Sequence, residues 1–129
     1  KAYIGAGDKF GSSVSITSGS YGDSYKDKVI AVGAPYEDST VSGGVNNNLV
    51  NSGKVFLFMP TGTPGNWSVN QDIKALNGDA NDSFGHAVSI DNETLAVGAP
   101  GESSNTNQII HVTLVKTTNF STQNNQLDF

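Results

Sequence analysis

Residues 84–100 read FGHAVSIDNETLAVGAP, and residues 10–35 read FGSSVSITSGSYGDSYKDKVIAVGAP. Both stretches open on Phe-Gly, carry Val-Ser-Ile at the same offset and close on Val-Gly-Ala-Pro. They differ in the connection between, which is about nine residues longer in the first copy. A short chain that repeats a phrase in this way repeats a structural unit, so the period of the phrase decides the fold.

That period is two. In an extended segment alternate residues share a face, which puts Phe10, Ser12, Val14 and Ile16 together, opposite Ser13 and Ser15. The second copy sets Phe84, His86, Val88 and Ile90 against Ala87 and Ser89. The strand that follows repeats the asymmetry, with Ile30, Val32 and Ala34 against Val29, Ala31 and Gly33, and Leu95, Val97 and Ala99 against Thr94, Ala96 and Gly98. A sheet with one wet face alternates apolar with charged residues. These strands alternate large with small, so both faces are covered and the small face admits a close neighbour. Pro35 and Pro100, which have no N–H for a ladder, end the strands.

Working outward, residues 54–59 (KVFLFM) form a third strand, stopped by Pro60 and the TGTPGN cluster. Residues 67–76 form a fourth, with Trp67, Val69, Ile73 and Ala75 on one face and Ser68, Asn70, Asp72 and Lys74 on the other. The second unit offers residues 84–90, 94–100 and 109–116, and a last strand within residues 120–129. No stretch has helical spacing; Gly, Asn and β-branched residues are too frequent. Lys1-Ala2-Tyr3 precedes Phe10 much as Lys74-Ala75-Leu76 precedes Phe84, so the chain opens inside the outer strand of a preceding unit. The expectation is an all-β chain of β-propeller-type blades, two four-stranded antiparallel units. Residues 1–9 would end a preceding outer strand, 10–76 form the first blade and 77–129 the second. Two blades do not close a ring, so the chain is an incomplete propeller that calls for additional blades or self-association. Phe10, Phe84, Trp67, Phe56 and Phe58 are the expected core anchors.

The FG at 10–11 and 84–85 and the GAP at 33–35 and 98–100 resemble FG-GAP repeats, similar to the blades of integrin alpha-chain propellers. The likeness is closer to the bacterial FG-GAP type through Gly53-Lys54-Val55-Phe56-Leu57-Phe58, Asn66-Trp67, Lys74-Ala75-Leu76 and Asn81-Asp82-Ser83-Phe84-Gly85. It extends to about Ser104, beyond which Gln-Ile-Ile-His-Val-Thr-Leu-Val replaces the Gly-Lys-Val-Phe type of strand. The resemblance implies a non-enzymatic binding or adhesion module, extracellular or on a cell surface, that recognises protein or glycan through the loops between strands. It implies that residues 5–9, 36–52, 77–83 and 101–107 crowd one face, with Tyr36, Glu37, Asp38, Asp79, Asp82 and Glu102 as ligand-binding candidates. It also implies a calcium-binding loop between first and second strands, where Asp23 and Asp27 are the available ligands, although no D-x-D-x-D-G array stands there. The alternatives are a propeller portion of a larger secreted hydrolase or lyase, with catalysis elsewhere, and a self-assembling unit of a ring or filament.

The composition narrows the partners. With 7 Lys and Arg against 12 Asp and Glu, the formal net charge of −5 disfavours nucleic acid and anionic membrane surfaces. No apolar run approaches a membrane span. No cysteine is present, so neither disulfides nor thiolate metal sites exist. The two histidines, His86 and His111, have no nucleophile or paired carboxylate at motif spacing, and no catalytic motif occurs. No catalytic residue and no cofactor other than calcium is therefore expected. Asp8 before Phe10 and Asp82 before Phe84 occupy one place, which also favours turn chemistry for the Asp79–Asp82 run.

Overall fold

The computed structural model describes residues 4–18, 28–39, 48–92 and 94–103, and the backbone of residues 112–116. Seven strands follow in order: β1 (Ser13–Thr17), β2 (Val29–Ala34), β3 (Lys54–Pro60), β4 (Trp67–Ile73), β5 (Ala87–Asp91), β6 (Thr94–Gly98) and β7 (Val112–Lys116). They form two antiparallel meanders, β1-β2-β3-β4 and β5-β6-β7. The described residues contain no helix, and so none able to cross a membrane. The strand expected within residues 120–129, which would complete the second sheet, lies outside the described residues, as does His111.

The two sheets repeat each other residue by residue. Ser13 pairs with Gly33, and Ala87 with Gly98; Ile16 pairs with Ile30, and Ile90 with Leu95. Gly33 then pairs with Val55, and Gly98 with Val112. The turns into the first strands match too. Positive φ occurs at Gly7 and Asn81, at Lys9 and Ser83, and at Gly11 and Gly85. The Gly11 N–H donates to the Gly33 carbonyl at 2.9 Å, and the Gly85 N–H to the Gly98 carbonyl at 3.1 Å.

The core lies between the sheets. The small face of the first sheet carries Ser13, Ser15, Ala31 and Gly33 near its inner edge, and Val55, Leu57 and Ile73 further out. Against it stand Phe84, Ile90, Leu95 and Val97 from the large face of the second sheet, all buried in one cluster. This is the predicted meeting of bulky with slender faces. The inner edge is close enough for direct hydrogen bonds: the Ser13 hydroxyl donates to the Gly85 carbonyl at 2.8 Å. The N–H groups of Ile90 and Asn92 donate to the Ser15 and Thr17 hydroxyls at 3.0 and 2.9 Å. Gly33 is required here, because a Cβ would overlap the Gly85 carbonyl oxygen.

Two expectations change. Phe84 and Phe56 are buried at 1% exposure each, but Phe10 is 39% exposed, and Phe58 and Trp67 are half-buried. Phe10 packs edge-on against Phe56 and Phe58, with ring centroids 5.6 and 6.0 Å apart. It occupies the place of Phe84, but among the described residues no sheet covers it. Second, β4 does not keep one face throughout. A bulge lets Phe58 pair with Val69 while Leu57 pairs with Gln71, leaving Asn70 unpaired. The extra residue moves Trp67 and Val69 to the side of Phe58, opposite Ile73.

Candidate functional site

The site begins with two aspartates. Asp8 and Asp82 each close a turn by accepting the N–H three residues earlier, from Gly5 and Asp79, both at 2.6 Å. The carbonyls of the same residues accept N–H groups from beyond the second strands, Tyr36 at 3.1 Å and Gly101 at 3.0 Å. Each unit thus ties the loop before its first strand to the loop after its second. Asp82 is buried, and desolvation raises its pKa above the usual value, the Asp79 N–H partly opposing this and the charges of Glu102 and Asp79 adding to it.

The first unit adds a buried ion cluster. Glu37 lies between two lysines: Lys74 Nζ donates to its Oε2 at 2.8 Å, and Lys54 Nζ stands 3.4 Å from its Oε1. Lys74 also donates to the Ser52 hydroxyl at 2.7 Å and the Gly53 carbonyl at 2.9 Å. Lys54 donates to the Ser39 hydroxyl at 2.8 Å and pairs with the half-exposed Asp72 at 3.1 Å. Burial by itself would raise the Glu37 pKa, but hydrogen bonds from Lys74 and Ser39 and the charges of both lysines hold it below its usual value. Burial lowers the Lys74 pKa, opposed by the Glu37 hydrogen bond and charge and reinforced by Lys54. The Glu37 direction follows from one acid held between two cations, and the Lys74 direction from burial that its acid only partly offsets.

Asp38 takes a third structural part, accepting the Asn51 N–H at 2.7 Å, while its carbonyl accepts the Leu49 N–H. These bonds aim residues 50–52 at the second unit. The N–H groups of Asn81, Ser83 and Phe84 donate to the carbonyls of Val50, Asn51 and Ser52 at 2.8, 3.0 and 3.0 Å, and Gly53 bridges Phe84 in parallel fashion.

The six sequence candidates therefore divide. Glu37 and Asp82 are buried in structural networks, and Asp38 is half-buried as a clamp. Tyr36, Asp79 and Glu102 reach solvent, Tyr36 with Lys9 Nζ 3.9 Å from its ring centroid and Glu102 accepting from the Asn77 amide at 2.9 Å. The structure adds Asn51, which sequence reasoning did not single out, to Asn81 of the Asp79–Asp82 run. The Asn51 amide donates to the Asn81 side-chain oxygen at 3.2 Å, beside the exposed Val50. The signal was an Asn two residues before Gly53 and another three residues before Phe84-Gly85, each with a side chain able to hold positive φ. The outer surface is thus a band of amides and carboxylates drawn from both units: Asn51, Asn81, Asp79, Asn77 and Glu102. Among the described residues no three His, Asp or Glu side chains gather as a metal site. Asp23 and Asp27 lie outside the described residues, and His86 is exposed.

Two antiparallel sheets that stack large face on small face, with a Phe-Gly turn entering each first strand and Gly-Ala-Pro leaving each second, define β-propeller-type blades. Residues 67–109, running from β4 through the hairpin of the second unit, match the FG-GAP repeat family. The chain carries an FG-GAP repeat. No curated protein matches it.

Proposed function

We propose that the chain is a non-enzymatic binding module that recognises a protein or a glycan, outside the cell or at its surface, through the loop band described above. One observation carries this reading. Loops from both units are joined by hydrogen bonds into a single polar surface, and the buried ion cluster fixes its longest member to the sheet. Loops held on a rigid scaffold are where recognition concentrates. The chemistry of the band suits hydroxyl-rich or basic ligands, since amides offer paired donors and acceptors and carboxylates only accept.

The test is binding of the purified chain to a glycan array and to immobilised cell-surface glycoproteins. A triple variant, Asn77→Ala, Asp79→Ala and Glu102→Gln, accompanies it. These side chains are at the surface, so the melt is expected to move by only about 0.5 kcal/mol. Binding is expected to fall at least about tenfold, or about 1.4 kcal/mol. Equal binding by the variant, or no binding by the natural chain to either probe, would overturn the reading.

A further inference from the structure

Asn77-Gly78 is the only Asn-Gly pair in the chain. The other asparagines among the described residues precede Leu49, Ser52, Trp67, Gln71, Asp82 or Glu93, each with a side chain that hinders approach to its own backbone nitrogen. The two nearest in the band are also held. Asn51 and Asn81 sit at φ 54 and 72 with their side chains bonded to each other, and the residues that follow them, Ser52 and Asp82, are buried. Asn77 differs on every count. It is exposed in the turn that follows β4, and that turn is closed by one hydrogen bond, from the Gly78 N–H to the Ala75 carbonyl at 3.2 Å. Its side-chain amide donates to Glu102 Oε2 at 2.9 Å, tying this turn to the loop after β6.

We propose that Asn77 is a self-modifying site: the Gly78 nitrogen displaces the side-chain amide, and the acid left behind unties Glu102 from the turn. The chemistry is intramolecular apart from water. When the turn opens, the Gly78 nitrogen gives its proton to water and bonds to Cγ of Asn77. The Cγ–Nδ2 bond breaks and the amide nitrogen leaves as ammonia. Water then adds to one of the two carbonyls of the cyclic imide and breaks that carbonyl's bond to the ring nitrogen. The product is aspartate, or isoaspartate, in which the backbone runs through the former side chain. No oxidation or reduction occurs. The fold opposes the attack with one bond at the surface, and exposed turns open at little free-energy cost. The product reverses the contact, because an amide donates to Glu102 and a carboxylate only accepts. The new charge joins Asp79 and Glu102, both of which already act on the buried Asp82. The loop keeps the bond from the Gly101 N–H to the Asp82 carbonyl but loses its side-chain tie. This inference rests on the turn and the Glu102 contact and is independent of the ligand-binding reading.

The test incubates the purified chain in mildly alkaline buffer, folded and unfolded in guanidinium chloride, and maps every asparagine by peptide mass with an isoaspartate assay. The peptide holding residue 77 is expected to gain about 1 Da, an acid for an amide. The folded chain is expected to convert within about tenfold of the unfolded rate. Gly78→Ala, whose methyl would stand 3.1 Å from the Ala75 carbonyl oxygen, is expected to slow conversion at least about tenfold in both states. Asn77→Gln is expected to remove it, and serves where Gly78→Ala fails to fold. In Asn77→Asp, amide exchange at Gly101 and Glu102 is expected to quicken about fivefold. A folded chain that converts more slowly than stated, faster conversion at another asparagine, or a Gly78→Ala chain that converts as fast as the natural one would overturn the site. Unchanged exchange in Asn77→Asp would overturn the untying.

Discussion

Phe10 and Phe84 are the same residue in the same turn, separated only by what lies on top. Deleting the Phe84 ring empties a packed core and is expected to cost about 3–5 kcal/mol in a denaturant melt. Phe10→Ala forfeits mainly its edge contacts with Phe56 and Phe58, about 1 kcal/mol. Gly53→Ala in the natural chain combines a strained backbone with an overlap at Phe84, and a loss of at least about 2 kcal/mol is expected in the same melt. Glu37 and Asp82 oppose each other in acid. The folded pKa of Glu37 is depressed, so its contribution is complete above its ordinary 4.5 and disappears as pH falls through the lower folded value. The folded pKa of Asp82 is raised, so its burial penalty is relieved as pH falls through that value toward the ordinary 3.8. Urea melts across the acid range are expected to show Glu37→Gln less acid-sensitive than the natural chain and Asp82→Asn more so. At neutral pH Glu37→Gln leaves two buried lysines without their shared anion and is expected to cost about 3 kcal/mol.

Among the elements, what the sequence makes legible is whatever local pattern controls. The two hairpins β1-β2 and β5-β6, their large and small faces and their proline ends follow from period and turn chemistry. The bulge at Asn70 was not legible, because one unpaired residue in a half-exposed strand leaves no mark on hydrophobicity. The site was legible only in part. Asp8 and Asp82 announced their turn role by occupying one place in the repeat. Glu37 did not announce its role, since its partners Lys54 and Lys74 come from the head of β3 and from just past the end of β4. The available hint was a lysine at the head of the otherwise apolar run from Val55 to Met59, and a second between Ile73 and Ala75. Period also says which face is large but not which large face is covered, and this is why Phe10 was expected inside.

Among the described residues the hydrophobic cluster that unites the molecule is the layer between the two sheets, while Val32 and Phe56 are buried on the opposite face of the first sheet. Val55, Leu57 and Ile73 need Phe84, Leu95 and Val97 as much as the reverse. Thermal unfolding is therefore expected as one transition, with near-UV dichroism, dominated by the first unit's Trp67 and tyrosines, coinciding with exchange of amides in β6. A separate earlier step for either unit would contradict a shared core. The same layer has a consequence at the ribosome. The first sheet is complete once Ile73 has emerged, but its underside stays wet until Ala99 follows, an interval of about one to five seconds at ordinary translation speeds. During that interval the nascent chain displays an aliphatic sheet, and a chaperone or a stalled neighbour has its best opportunity to seize it.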